Sequence, residues 1–177
     1  VSVVVMSYNN ARFIGETIES VLSQQDVALE LIIVDDCSSD DSLEVVRRYQ
    51  SDPRLALEVN TENLGQTGNF NKCVRCGTGR YVVVLGSDDI LYPGHLSALV
   101  EALDADPKLS LAYTQCTWID EAGKVLQHID HRGHPAHSYS GGRDEVVDLL
   151  TFDNYITPST VMLRRSMLDD MRLSEGV

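Results

Sequence analysis

Tyr81-Val82-Val83-Val84-Leu85-Gly86-Ser87-Asp88-Asp89 is the stretch that decides the fold. Its first five residues are apolar and mostly β-branched, and polar residues follow at once. A short run without polar alternation suits a strand covered on both faces, as in a parallel sheet. The two carboxylates where the run stops repel each other unless water or a cation lies between them.

The same grammar recurs upstream. Residues 1–6 are an apolar run that breaks into Ser7-Tyr8-Asn9-Asn10, and residues 29–34 are another, ending on Asp35-Asp36-Cys37-Ser38-Ser39-Asp40. Between them, residues 11–24 carry Phe13, Ile14, Ile18, Val21 and Leu22 at helical spacing. Ser39 or Asp40 can cap a second helix with Leu43, Val46 and Tyr49 on its apolar face. Asp52-Pro53 turns the chain into a third strand, in which Leu55, Leu57 and Val59 alternate with Ala56 and Glu58. Residues 60–68 read as a polar loop and 69–75 as a short helix stopped by Gly77-Thr78-Gly79. After the fourth strand, residues 95–103 form a helix with Leu96, Leu99, Val100 and Leu103 inward, and 109–117 read as a fifth strand. This alternation predicts an α/β fold: a mostly parallel central sheet with helices on both faces. Such sheets bind ligands at the carboxyl ends of their strands, here after residues 6, 34 and 85.

Beyond residue 117 the pattern changes. Residues 118–126 read as a hairpin around Glu121-Ala122-Gly123-Lys124, 127–142 as a loop, 143–152 as a helix, 160–163 as a strand and 166–171 as a short helix. His128, His131, His134 and His137 recur every third residue, a possible transition-metal set. Gly133 and Pro135 rule out one regular helix presenting all four, so a loop is the preferred reading.

Lys and Arg number 14 against 27 Asp and Glu, a net charge of −13 over 177 residues. That balance repels nucleic acid and anionic membrane surfaces, and nucleic acid is not an expected partner. It also repels a free nucleotide, unless a bound cation offsets it locally. No apolar run approaches the ~20 residues of a membrane span. The chain opens on Val1 without a signal-peptide pattern and is read as one domain of a cut sequence, with cytoplasmic location, free or peripheral at the inner membrane face. Cys37, Cys73, Cys76 and Cys116 are expected as reduced thiols, and Cys73-x-x-Cys76, late in a helix, as small buried apolar side chains.

Several side chains can carry chemistry. Asp88 and Asp89 suit Mg²⁺ or Mn²⁺, hard ions that keep waters and take a diphosphate as a further ligand. The competing reading makes Asp88 a helix cap. A carboxylate of Asp35-Asp36 can accept a hydrogen bond from a base or a ribose, or else cap a helix. Tyr8 can stack on a base or be a half-buried turn aromatic. Asn63, Gly65, Asn69 and Asn71 can bond base edges and phosphates, or only build turns.

Taken together, Val3-Val4-Val5-Met6-Ser7-Tyr8-Asn9, Glu30-Leu31-Ile32-Ile33-Val34-Asp35-Asp36-Cys37-Ser38, Asn63-Leu64-Gly65 and Gly79-Arg80-Tyr81 through Ser87-Asp88-Asp89 resemble family-2 glycosyltransferases in order and spacing. The match is firm over residues 1–100 and looser to Pro158-Ser159-Thr160-Val161-Met162-Leu163-Arg164-Arg165. The resemblance implies a GT-A-type Rossmann-like sandwich, with a nucleotide-sugar-binding half at 1–100 and the start of an acceptor-side half at 101–177. It implies that Met6, Ser7, Tyr8 and Asn9 line the base and ribose pocket, that Asp36 binds the base and that Asp88 faces the ribose or sugar. Asp89 then holds Mg²⁺ or Mn²⁺ on the diphosphate, with Asn63, Gly65, Asn69 and Ser87 in the binding set. The implied reaction is metal-dependent, inverting transfer from a nucleoside-diphosphate sugar to a hydroxyl of a glycan, lipid-linked or other acceptor.

Two departures stand out. Asn69-Phe70-Asn71 replaces an Ala-Arg-Asn triplet common in the family. The acidic motif that supplies a general base is expected beyond Val177, so this stretch should bind donor with almost no turnover; Asp153, Asp169 and Glu175 are the weaker candidates within it. Arg164-Arg165 read as exposed strand-end arginines, with a phosphate-bearing acceptor as the alternative. Rival functions are a nucleotidyltransferase, which would want a glycine-rich basic loop after the first strand, and a dinucleotide-binding dehydrogenase, whose Gly-x-Gly-x-x-Gly is absent there. A module that binds a sugar nucleotide without turnover is the third.

Overall fold

A computed structural model of the chain describes residues 1–129 and 156–168. The elements in chain order are β1 (Ser2–Ser7), α1 (Ile14–Leu22), β2 (Glu30–Asp35), α2 (Ser42–Arg47), β3 (Leu55–Val59), α3 (Gly65–Cys73), β4 (Tyr81–Gly86), α4 (His95–Ala105), β5 (Leu111–Tyr113), β6 (Cys116–Ile119), β7 (Val125–Ile129) and β8 (Val161–Arg164). A 3₁₀ turn, Pro158–Thr160, leads into β8, and a second one, Arg165–Met167, follows it.

The central sheet runs β3-β2-β1-β4-β8-β5. Strands β1 to β4 are parallel, and β8 lies antiparallel between β4 and β5. The expected layering holds because the apolar runs have no polar face. Val3, Val5, Leu31, Ile33, Val83 and Leu85 pack with Ile14, Ile18 and Val21 of α1, Val46 of α2 and Leu96, Leu99 and Leu103 of α4. Their neighbours in sequence, Val4, Ile32, Val34, Val82 and Val84, turn to the other face and meet Cys73 and Val74 at the end of α3. A strand's period of two thus sends alternate residues into two cores, each fully buried aliphatic side chain contributing roughly 1.5–3 kcal/mol.

Four local expectations need correction. The run 109–117 is two strands: β5 stops at Tyr113, and Cys116 begins β6 in a separate two-stranded sheet with β7. That hairpin forms as expected, but β7 continues through His128, whose Nδ1 lies 2.9 Å from Thr117 Oγ1. His128 is therefore a strand residue; His131, His134 and His137, the helix 143–152, Asp153 and the acids after residue 168 lie outside the described residues. Helix α3 begins at Gly65, inside the supposed loop, because Asn63 Oδ1 accepts the Gly65 N–H at 2.8 Å and starts the turn. Arg164 and Arg165 are half-buried and occupied: Arg164 donates to the carbonyls of Leu109 (2.9 Å) and Leu103 (2.8 Å), and Arg165 to that of Gly79 (2.6 Å). Arg165 thereby ties down the amino ends of β1 and β4, with a further bond to Ser2 Oγ at 3.1 Å, and Arg164 joins the end of α4 to the stretch before β5, both away from the carboxyl-end clusters.

Candidate functional site

The carboxyl ends of β2, β1 and β4 lie side by side, since Ser7 pairs with Asp35 and Met6 with Gly86. This brings Tyr8, Asp36 and Ser87-Asp88-Asp89 to one edge. Tyr8 is 51% exposed there, an aromatic face without a cover.

The β1 end is held by the loop after β2. Asn9 has φ 47°, a left-handed conformation that asparagine tolerates better than most residues. Its Oδ1 accepts the Ser39 N–H at 2.8 Å, and its own N–H donates to Ser38 Oγ at 2.9 Å. Ser7, buried, donates to Asp35 Oδ2 at 2.9 Å, and Asp35 also accepts the Ser38 N–H and hydroxyl at 2.8 and 2.6 Å. The helix cap expected at Asp40 takes the form of a bond from the Ser42 N–H to Oδ1 at 3.0 Å, with Asp41 at the N-cap position. Met6 is partly buried against the α3-side core. So Met6, Ser7 and Asn9 shape the edge by packing and bonding to protein, while Tyr8 faces outward.

Asp36 is only 3% exposed. Its Oδ1 accepts Asn60 Nδ2 at 2.7 Å and the Leu64 N–H at 2.9 Å, fixing the loop into α3. Asn60 also donates to Asn69 Oδ1 (3.1 Å) and accepts from Lys72 Nζ (2.7 Å), which pairs with Glu58 at 3.2 Å. Asn69, placed in the binding set by sequence, is buried inside this network and supports Asp36 through Asn60. Asn63 and Gly65 are exposed, with Gly65 at φ 70°. Sequence reading missed Asn60, whose position at a strand end marked only a loop.

The β4 end is built differently. Asp88 is exposed and Asp89 half-buried. A Cβ on Gly86 would lie 2.8 Å from Asp89 Oδ2 and 3.1 Å from Asp88 Oδ1, so both carboxylates fold back over the strand end, and a side chain there would displace them. Burial pushes the Asp89 carboxyl above its ordinary value; a bond from Ser159 opposes this, and the charge of Asp88 adds to it. Ser159, in the turn before β8, donates its hydroxyl to Asp89 Oδ2 and accepts the Gly86 N–H at 3.3 Å.

A buried polar row running along α1 and just past its end fixes the same turn and the residues after it. Thr17 Oγ1 donates to the Ser87 carbonyl at 2.9 Å, Ser20 Oγ accepts the Leu91 N–H at 3.1 Å, and Gln24 joins the Tyr92 carbonyl (2.9 Å) to the Leu96 N–H (3.2 Å). Asn10 Nδ2 adds a bond to Ser87 Oγ at 2.8 Å. The i, i+3, i+7 spacing of Thr17, Ser20 and Gln24 on the inward face was the available signal.

Among the described residues, no three His, Cys, Asp or Glu side chains gather as a metal site. Asp88 and Asp89 offer oxygen only, and two acids are the number a Mg²⁺ or Mn²⁺ ion needs when phosphate and water complete its shell, so the pair fits such an ion. Cys73 and Cys76 do not form a reactive pair: burial raises both thiols, and Cys73 is fully inside. No helix among the described residues is long and apolar enough to cross a membrane.

The chain is 39% identical over 105 residues to the succinoglycan biosynthesis protein ExoO of Rhizobium meliloti, a match covering 59% of this chain and 30% of that protein. Its fold matches that of Staphylococcus aureus TarS 1-349 in complex with UDP-GlcNAc, with a TM-score of 0.71 at 24% identity, over 96% of this chain and 46% of that one. It also matches the mannosyltransferase PcManGT of Pyrobaculum calidifontis in complex with GDP-Man and Mn²⁺, with a TM-score of 0.67 at 21% identity, over 95% and 45% of the two chains. The chain thus spans less than half of each of these proteins. Residues 2–172 match the family described as Glycosyl transferase family 2, and the chain belongs to that family.

Proposed function

We propose that this domain binds a nucleoside-diphosphate sugar at the β2-β1-β4 edge and serves its inverting transfer to an acceptor hydroxyl. The observation that carries the reading is the turn after β4, where two carboxylates fold over the carboxyl end of a parallel strand and, among the described residues, neither forms a salt bridge. UDP-GlcNAc and GDP-Man are the donors named with the two structural neighbours, the second with Mn²⁺.

In this reading Tyr8 stacks against the base. Asp36, held by Asn60 and the Leu64 N–H, is oriented to accept a hydrogen bond from the base. Asp88 lies toward the ribose or sugar. Asp88 and Asp89 are the residues that would hold Mg²⁺ or Mn²⁺, which when bound supplies Lewis-acid stabilisation of charge on the diphosphate, of ~several kcal/mol. Ser87, fixed from both sides by Thr17 and Asn10, sets the backbone of that turn. Transfer then proceeds as attack of the acceptor oxygen on the anomeric carbon, opposite the departing diphosphate, with loss of the hydroxyl proton to a carboxylate base. Residues 1–100 form the donor half, and the acceptor half begins at residue 101.

The test is a thermal-shift panel of nucleoside diphosphates with and without Mn²⁺. A ligand at ~100 times its dissociation constant adds ~2.7 kcal/mol of stability. Stabilisation by one nucleoside diphosphate, deepened by Mn²⁺, is expected; no shift with any of them contradicts the reading.

A further inference from the structure

We infer that Ser159 is a positioning residue for the donor site, holding the Asp89 carboxylate in place from a segment that enters the sheet seventy positions later in the chain. The inference rests on the reading of Asp88-Asp89 as the cation-binding pair.

The geometry fixes the direction of the bond. The Gly86 N–H points at Ser159 Oγ, at 3.3 Å, and uses one of its lone pairs. A hydroxyl has one proton, and here it goes to Asp89 Oδ2. A donor at that oxygen anchors one of the two carboxylate oxygens to the turn before β8. Ser159 also selects one rotamer of a side chain that would otherwise swing away from Asp88. Reduced freedom before binding appears as affinity.

Ser159 is itself held rigidly. Pro158 fixes the first φ of its turn, the Thr160 N–H donates to the Thr157 carbonyl at 2.9 Å, and Thr160 Oγ1 donates to the same carbonyl at 2.7 Å. The turn is continuous with β8, whose Met162 pairs with Val83 on one side and Ala112 on the other. Donor binding in the first half therefore depends on the docking of β8 between β4 and β5, so the two halves are coupled through one hydroxyl.

The experiment measures Mn²⁺ alone, by the loss of free-ion signal in electron paramagnetic resonance, and UDP and GDP by calorimetry with and without Mn²⁺. The proteins are the 177-residue chain and its Ser159→Ala, Ser159→Thr and Asp89→Ala variants. Losing one charge-assisted hydrogen bond predicts ~10-fold weaker Mn²⁺ binding and metal-dependent nucleotide binding in Ser159→Ala. Metal-free nucleotide affinity stays unchanged, and Ser159→Thr returns to within ~3-fold of the parent. A merely structural role would weaken both affinities together. Should Ser159→Ala lose cooperative melting, Ser159→Cys, close in size with a weaker donor, takes its place and is expected between Ala and Thr. Parental Mn²⁺ affinity in Ser159→Ala or Ser159→Cys, with metal dependence lost in Asp89→Ala, overturns the inference alone. Metal dependence kept in Asp89→Ala overturns the site reading and the inference with it.

Discussion

Two Asp-Asp pairs follow two buried parallel strands, and the fold treats them in opposite ways. After β2, Asp35 and Asp36 are 0% and 3% exposed and surrounded by donors: two hydroxyls, two backbone N–H groups and the Asn60 amide. After β4, Asp88 is open to solvent and Asp89 has fewer donors, the Ser159 hydroxyl and the Gly86 N–H. Hydrogen-bond donors satisfy the first pair within the protein. The second pair keeps its mutual repulsion, and a cation would relieve it. The same dipeptide at the same kind of strand end is thus held by many donors in one place and left largely open in the other; what surrounds the acids makes the difference.

The largest effect should come from breaking the donor-held pair. Asp35→Ala leaves the Ser7 hydroxyl and the Ser38 N–H and hydroxyl without their acceptor, and should cost about 3 kcal/mol in urea unfolding. Asp88→Ala, at an exposed site, should stay within about 0.5 kcal/mol. Equal losses would erase the contrast. Next comes Asp36→Ala, expected to weaken nucleotide binding at least ~10-fold whether or not Mn²⁺ is present, because a base contact does not pass through the ion. A loss confined to the Mn²⁺ arm would move Asp36 into the metal shell.

Thr17→Val sharpens the β4 side. It removes the bond to the Ser87 carbonyl at nearly constant volume, so a cost of about 1 kcal/mol is expected. Metal-dependent binding should fall with it, and calorimetry showing none would separate the α1 row from the site. The smallest effect concerns Asp89→Asn without metal. Burial raises the Asp89 carboxyl in the fold, Ser159 notwithstanding, and the Asp88 charge adds to this. The fold therefore binds this proton more tightly than the unfolded chain does. It loses stability as pH rises from the unfolded value through the folded one, and carries that penalty at neutral pH. Asp89→Asn should melt slightly higher than the parent at pH 7, with the gap closing below the unfolded carboxylate value. A lower melting temperature at pH 7 would reverse the sign.

Much of the sheet was legible because β1, β2 and β4 centre on the apolar runs 3–6, 31–34 and 81–85, followed at once by polar or turn residues. The strand ends were legible for the same reason, and with them Asp36, Asp88 and Asp89. The split at Tyr113 was not, since an apolar pattern says nothing of which sheet a strand joins. The true start of α3 was hidden because Gly65, Gln66 and Thr67 are exposed and Gly68 has no side chain, so the first turn gives no periodicity. Ser159 reads locally as part of a Pro-Ser-Thr turn; only the antiparallel insertion of β8 brings it to Asp89, and chain order does not encode that insertion. Asn69 looked like a binding amide because its neighbour Asn60 could not be seen from sequence spacing.

The most direct measurement is calorimetric titration of the chain and its Asp89→Ala variant with UDP and GDP, each with and without Mn²⁺. The account predicts that one of the two binds the parent more tightly with Mn²⁺, and that Asp89→Ala, still folded, binds it equally with and without the ion. Parental affinity and full Mn²⁺ dependence in Asp89→Ala would contradict the assignment of the β4 turn as the cation site.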